Sequence, residues 1–182
     1  MRRALLIAAL VAGGVAPFAG SPHRTAAQLD LRRLAAAVER EEDHVTAIEL
    51  ARWIHDRKEG LHVVDLRGAA EFAAYHVPSS ENVPLQSLVG TPFPKTETLV
   101  LISDGGAHAA QAWVFLQALG YPNVYFLRGG LQEWLDDVMS PASATPDLAE
   151  LSRYFGGSPH SGPPIVPLPA RERVAAMRRR GC

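Results

Sequence analysis

Cysteine is almost absent from this chain: its 182 residues hold one, Cys182, at the last position. A lone thiol can neither close an internal disulfide nor supply a multi-cysteine zinc or iron–sulfur site, so disulfide scaffolds and zinc ribbons are excluded. Paired metal-ligand motifs are lacking too. The seven histidines (His23, His44, His55, His62, His76, His108 and His160) form no HxH, H-x-x-x-H or H-E-x-x-H pattern, so no metal is expected. No cofactor is implied either. An excess of one charge is also missing, with 18 Lys plus Arg against 19 Asp plus Glu and a net charge of -1.

That balance conceals a polarity. Residues 171–182 carry Arg171, Arg173, Arg178, Arg179 and Arg180 against Glu172, whereas residues 4–170 hold 11 basic and 18 acidic side chains. An acidic body argues against nucleic acid as a partner and sets up attraction between body and tail.

The first 21 residues read as a signal peptide or N-terminal anchor. Arg2 and Arg3 precede an uncharged run from Ala4 to Gly20 with Leu5, Leu6, Ile7, Leu10 and Val11, followed by a small-residue site at Ala19-Gly20-Ser21. As a helix this run spans roughly 25 Å, short of a hydrocarbon core of about 30 Å. The expectation is therefore an exported protein, periplasmic or secreted. The alternative is membrane association through an uncleaved N-terminal segment.

Beyond it, residues 22–43 read as a helical linker, with a helix from about Ala27 to Glu42 bearing Leu29, Leu34 and Val38 near one face. Thr46-Ala47-Ile48-Glu49 matches a capping box that opens a helix through Leu50 and Trp53, expected to stop near Gly60. Leu61–Leu66 and Leu99–Ile102 are apolar runs suited to buried parallel strands, with shorter strands expected at Asn82–Pro84 and Asn123–Phe126. Helical segments are expected at Glu71–Ala74, Ala107–Leu119 and Leu131–Leu135. Strands alternating with helices predict an α/β fold, a mostly parallel sheet flanked by helices on both faces.

Ligands of such sheets bind beyond the carboxyl ends of the strands, which directs attention to the segment after Ile102. It reads Ser103-Asp104-Gly105-Gly106-Ala107-His108-Ala109 and leads straight into a helix. Two glycines let the backbone curl, and a helix start directs free N–H groups and partial positive charge into the loop, a geometry that can cradle an anion. A Ser/His/Asp hydrolase site could be drawn from Ser103, His76 and Asp65, but no G-x-S-x-G elbow surrounds Ser103. In the structural reading, Asp65 and Arg67 form an ion pair or bond nearby loops at the end of the first strand, and His76 with Pro78 shapes a turn.

Four strings, VVDLR (63–67), EFAAYHVPSSENVPL (71–85), LVLISDGGAHAAQA (99–112) and LGYPNVYFLRGGLQEW (119–134), resemble a rhodanese domain in order and spacing, over about residues 44–138. The resemblance implies the rhodanese-like α/β fold, with helical N- and C-terminal extensions outside it, and kinship to sulfurtransferases that carry sulfane sulfur on a cysteine persulfide. It also implies that Asp65, Arg67 and His76 support the active loop, whose positions fall on Ser103 to Ala109. Where the family motif begins with cysteine this chain has Ser103; its basic position holds His108 and its small hydroxyl position Ala109. Asp104 adds a negative charge at the mouth, opposing thiosulfate. These departures imply loss of sulfurtransferase activity and a binding or regulatory module for an unknown protein or small anionic ligand.

Residues 139–182 read as a C-terminal extension. Thr145-Pro146-Asp147 opens a short helix with an apolar stripe of Leu148, Leu151, Tyr154 and Phe155, expected to dock on its own domain. A proline-rich loop (158–169) and a basic tail follow. The alternative function is a sulfurtransferase or sulfur carrier using the Cys182 thiol, whose arginine-rich neighbourhood favours the thiolate.

Overall fold

A computed structural model describes residues 30–160. The proposed signal segment, Leu29, most of the proline-rich loop, the basic tail and Cys182 lie outside the described residues. Five strands, β1 (His44–Val45), β2 (Leu61–Asp65), β3 (Ser80–Asn82), β4 (Thr98–Ile102) and β5 (Val124–Leu127), form one sheet in the order β1-β5-β4-β2-β3. Every pairing is parallel, with Val63 opposite Val100 and Leu101 opposite Phe126. The central strands β2 and β4 are buried on both faces, which is why they read as unbroken apolar runs.

Helices α1 (Leu31–Glu39), α2 (Ala47–His55), α3 (Ala69–Ala74), α4 (Leu85–Leu88), α5 (Ala107–Ala118), α6 (Gly130–Glu133) and α7 (Pro146–Tyr154) accompany the sheet, and Trp134–Met139 forms a π-helical segment after α6. On one face Leu50, Ile54, Leu131, Trp134, Val138 and Leu151 pack against Val63, Val100, Ile102 and Leu127. On the other, Leu88, Ala112, Trp113 and Leu116 pack against Val64, Leu99, Leu101 and Val124. No described helix is long and apolar enough to cross a membrane.

The α2 cap is as expected: Thr46 Oγ1 accepts from the Glu49 N–H at 3.2 Å, and Glu49 Oε2 accepts from the Thr46 N–H at 2.9 Å. The helix nevertheless ends at His55, not near Gly60, because Arg57 adopts the left-handed conformation (φ 53°) that turns the chain out. Helix α1 begins at Leu31, capped by Asp30, and its Val38 is exposed while Leu34 packs on the core. Strand β3 lies two residues earlier than expected, at Ser80–Asn82, because its position is set by pairing with Val63–Asp65. The stripe on α7 docks through Leu151, with Leu148 and Phe155 beside it, but Tyr154 stays 56% exposed.

Candidate functional site

Strand β4 ends at Ile102, and the seven residues Ser103–Ala109 carry the chain from the sheet into α5. Ser103, Gly106 and Ala109 are buried, whereas Asp104, Gly105, Ala107 and His108 are exposed. The Ser103 Oγ is turned inward and accepts from the Ala109 N–H at 3.3 Å. Gly106 is the N-cap of α5 and sits at φ 84°, a conformation in which a Cβ would crowd the carbonyl oxygen.

The loop rests on the β5–α6 turn, and glycines make that approach feasible. A Cβ on Gly130 would lie 2.2 Å from the Ser103 carbonyl oxygen and 2.6 Å from that of Asp104. With only hydrogen there, the N–H groups of Leu131 and Gln132 donate to those two carbonyls at 2.9 and 3.1 Å. The start of α6 thus occupies the carbonyls of the loop. From Asp104 to His108, the five consecutive N–H groups of the loop donate to no acceptor among the described residues. Unpaired amides at the N-terminus of a three-turn helix are chemically fitted to an anion.

Asp65 and Arg67 stand beside this loop at the end of β2. Both are buried, the Asp65 side chain completely and that of Arg67 to 7% exposure. Arg67 Nε donates to Asp65 Oδ1 at 3.0 Å, and Nη2 donates to Asp65 Oδ2 and to the Tyr75 carbonyl, each at 2.7 Å. Its Nη1 lies 3.6 Å from Oδ1 of Asp104, whose side chain is 71% exposed. Hydrogen bonding to Asp65 raises the Arg67 pKa above its ordinary value, with the charges of Asp65, Asp104 and Glu71 adding to it. Arg67 is thereby shared by two carboxylates.

The other residues singled out from the sequence are placed differently. His76 stacks on Phe72 with ring centroids 4.0 Å apart, and its Nδ1 lies 2.9 Å from the Phe72 carbonyl oxygen. Among the described residues, no hydrogen bond joins any two of Ser103, His76 and Asp65, so a Ser/His/Asp relay is not assembled. His108 is exposed on the first turn of α5.

Three supports went unread in the sequence. Asn82 Nδ2 donates to the carbonyls of Asp65 (3.1 Å) and Arg67 (2.9 Å), tying the edge strand to the site. Trp134 Nε1 donates to the Tyr75 hydroxyl at 3.0 Å, fixing the segment whose carbonyl receives Arg67. Gly129 and Gly130 read as a turn, but the close approach that demands them appears only when two segments 27 residues apart in number, Ser103 and Gly130, meet.

A family described as Rhodanese-like domain matches residues 46–137. Among curated proteins, none matches the chain. Solved structures similar to it include a rhodanese-related protein from Thermoplasma volcanium, 26% identical, covering 50% of this chain and 89% of that one with a TM-score of 0.45. A single-domain sulfurtransferase of Saccharomyces cerevisiae is 21% identical, with 51% and 88% coverage and a TM-score of 0.46. A human single-domain sulfurtransferase is 23% identical, with 51% and 95% coverage and a TM-score of 0.46.

Proposed function

The chain belongs to the rhodanese-like domain family, and from that premise we propose that it is an exported, catalytically silent member that acts as a binding or regulatory module. The observation that carries this reading is the serine at position 103, heading the loop after β4.

Sulfane sulfur transfer requires a thiolate. It attacks the outer sulfur of thiosulfate, a new S–S bond forms, and sulfite leaves with the electrons of the broken bond. An acceptor such as cyanide then takes the outer sulfur and returns the thiolate. A serine hydroxyl neither ionises comparably near neutrality nor holds a second sulfur. Here the Ser103 oxygen is also buried and committed to the Ala109 N–H. Asp104 repels an approaching dianion, and the imidazole of His108 lacks the planar fork of donors with which a guanidinium clamps an anion. What persists is the set of free N–H groups from Asp104 to His108, which supports a role in holding a protein carboxylate or a small anion. The export expectation rests on residues 1–21, with Arg2 and Arg3 ahead of the apolar run.

The test is sulfur transfer from thiosulfate to cyanide by the full chain, by Cys182→Ser and by Ser103→Cys. A silent module gives no transfer in the first two and a gain only in the third. Transfer abolished by Cys182→Ser assigns the chemistry to the tail thiol and overturns the silent reading.

A further inference from the structure

Among the described residues, three that are not glycine adopt positive φ: Glu41, Arg57 and Ser79. Two of them line one groove. Arg57 follows α2 at the position where a left-handed residue closes a helix, with its N–H donating to the Ile54 carbonyl and that of Lys58 to the Trp53 carbonyl. Ser79 is the third residue of a turn in which the Ser80 N–H donates to the Val77 carbonyl, and its φ of 68° after Pro78 is the conformation a type II turn demands there. Glycine serves both positions without steric cost. The chain instead keeps a guanidinium at one and a hydroxyl at the other.

Both residues line a groove of about 240 Å³ completed by Trp53, Ile54, Lys58, Leu61 and Val63. The Lys58 ammonium is held 4.4 Å above the Trp53 ring. Neither Arg57 nor Lys58 has a carboxylate within 4.0 Å among the described residues, although the body of the chain is acidic. Two cations without a carboxylate partner and a hydroxyl residue therefore line one groove, and two of these three residues occupy left-handed backbone. Strain concentrated at one concavity is a mark of sites whose side chains are needed there.

We propose that this groove is a second ligand site, taking a small organic anion whose phosphate or carboxylate meets Arg57, Lys58 and Ser79 while its apolar part lies against Trp53 and Leu61. It sits where β2 and β3 begin, and the Ser103–Ala109 loop follows the end of β4. In a parallel sheet these are opposite ends, so the two sites are separate.

The experiment is an NMR titration of the full ¹⁵N-labelled chain with phenyl phosphate and, separately, inorganic phosphate. Saturable shifts of the Trp53 indole N–H and Ser79 amide are expected, with phenyl phosphate the tighter ligand. Arg57→Gly and Lys58→Gln should each weaken phenyl phosphate about tenfold, the loss of one charge-assisted hydrogen bond. Arg57→Gly should at the same time match or exceed the Tm of the unmodified chain, because it relieves the left-handed strain. No saturable shift at Trp53 or Ser79, equal affinity for the two probes, or unchanged affinity in both variants would overturn the proposal. Shifts confined to Gly105 and His108 would also overturn it, reporting the loop at the other end of the sheet.

Discussion

Arg67 and Asp65 meet in a two-point ion pair, Nε to Oδ1 at 3.0 Å and Nη2 to Oδ2 at 2.7 Å, with almost no exposure to water. Removing one member leaves the other charged and desolvated without its two-point partner, and Arg67 then keeps only the Tyr75 carbonyl and the exposed Asp104 carboxylate 3.6 Å away. Arg67→Met or Asp65→Asn should each cost about 3–5 kcal/mol in chemical denaturation. The double variant should recover part of that loss, because no orphaned charge remains. Single-variant losses that simply add in the double would mean that the two side chains do not act as a pair.

Gly130 is the contact point between the loop and the β5–α6 turn. Gly130→Ala places a Cβ 2.2 Å from the Ser103 carbonyl oxygen in a residue already at φ 60°. The loop must move, and the bonds from Leu131 and Gln132 break with it. A loss of at least ~2 kcal/mol is expected, with hydrogen exchange of the Ala109 and Leu131 amides accelerated. Unchanged exchange at both amides would show that the loop does not depend on this glycine.

Much of this arrangement was legible in residue pattern alone, and the remainder was not for definite reasons. Leu61–Leu66 and Leu99–Ile102 announced themselves because central parallel strands are apolar on both faces. The Thr46–Glu49 cap was readable because its chemistry is local, and for Asp65 and Arg67 an ion pair was one of two open readings, beside bonds to nearby loops. Strand β1 has only two residues, and the edge strand β3 contains Ser80, Glu81 and Asn82, so neither carries a hydrophobic period. Both exist through pairing with a neighbour. The π-helical segment after Glu133, the Trp134–Tyr75 hydrogen bond and the Gly130–Ser103 approach arise from packing between distant segments, for which local sequence has no signal.

Asp137 in the π-helical segment has its carboxyl pKa raised, first by burial and then by the negative charges of Glu133 and Asp136. A raised carboxyl means that the folded state favours the protonated form. Its stabilising effect is complete below the unfolded value, near about pH 4, and is lost as pH rises through the folded value. Asp137→Asn should therefore raise Tm at pH 7 and leave it nearly unchanged below about pH 4. Equal effects at both pH values would contradict this assignment.

Asp104 lies 3.6 Å from Arg67 Nη1 yet remains largely in water, so its influence on an approaching dianion is electrostatic and screened by salt. In a Ser103→Cys background, adding Asp104→Asn should lower the KM for thiosulfate by roughly two- to fivefold at low ionic strength, the scale of an exposed charge interaction. The advantage should shrink in about 0.5 M salt, where the screening length falls to several ångströms. A salt-independent gain would point to altered loop structure instead of charge.

Under the proposed function, a missing thiol and not a missing loop silences this domain. Its most direct measurement is sulfane sulfur retained after incubation with thiosulfate, released by cyanide and quantified, in Cys182→Ser and in the double variant Ser103→Cys with Cys182→Ser. No bound sulfur is expected in the first protein, and sulfur mapped by mass spectrometry to residue 103 in the second. Turnover of thiosulfate by Cys182→Ser, which has no thiol at all, or failure of a folded double variant to acquire sulfur at residue 103, would contradict it.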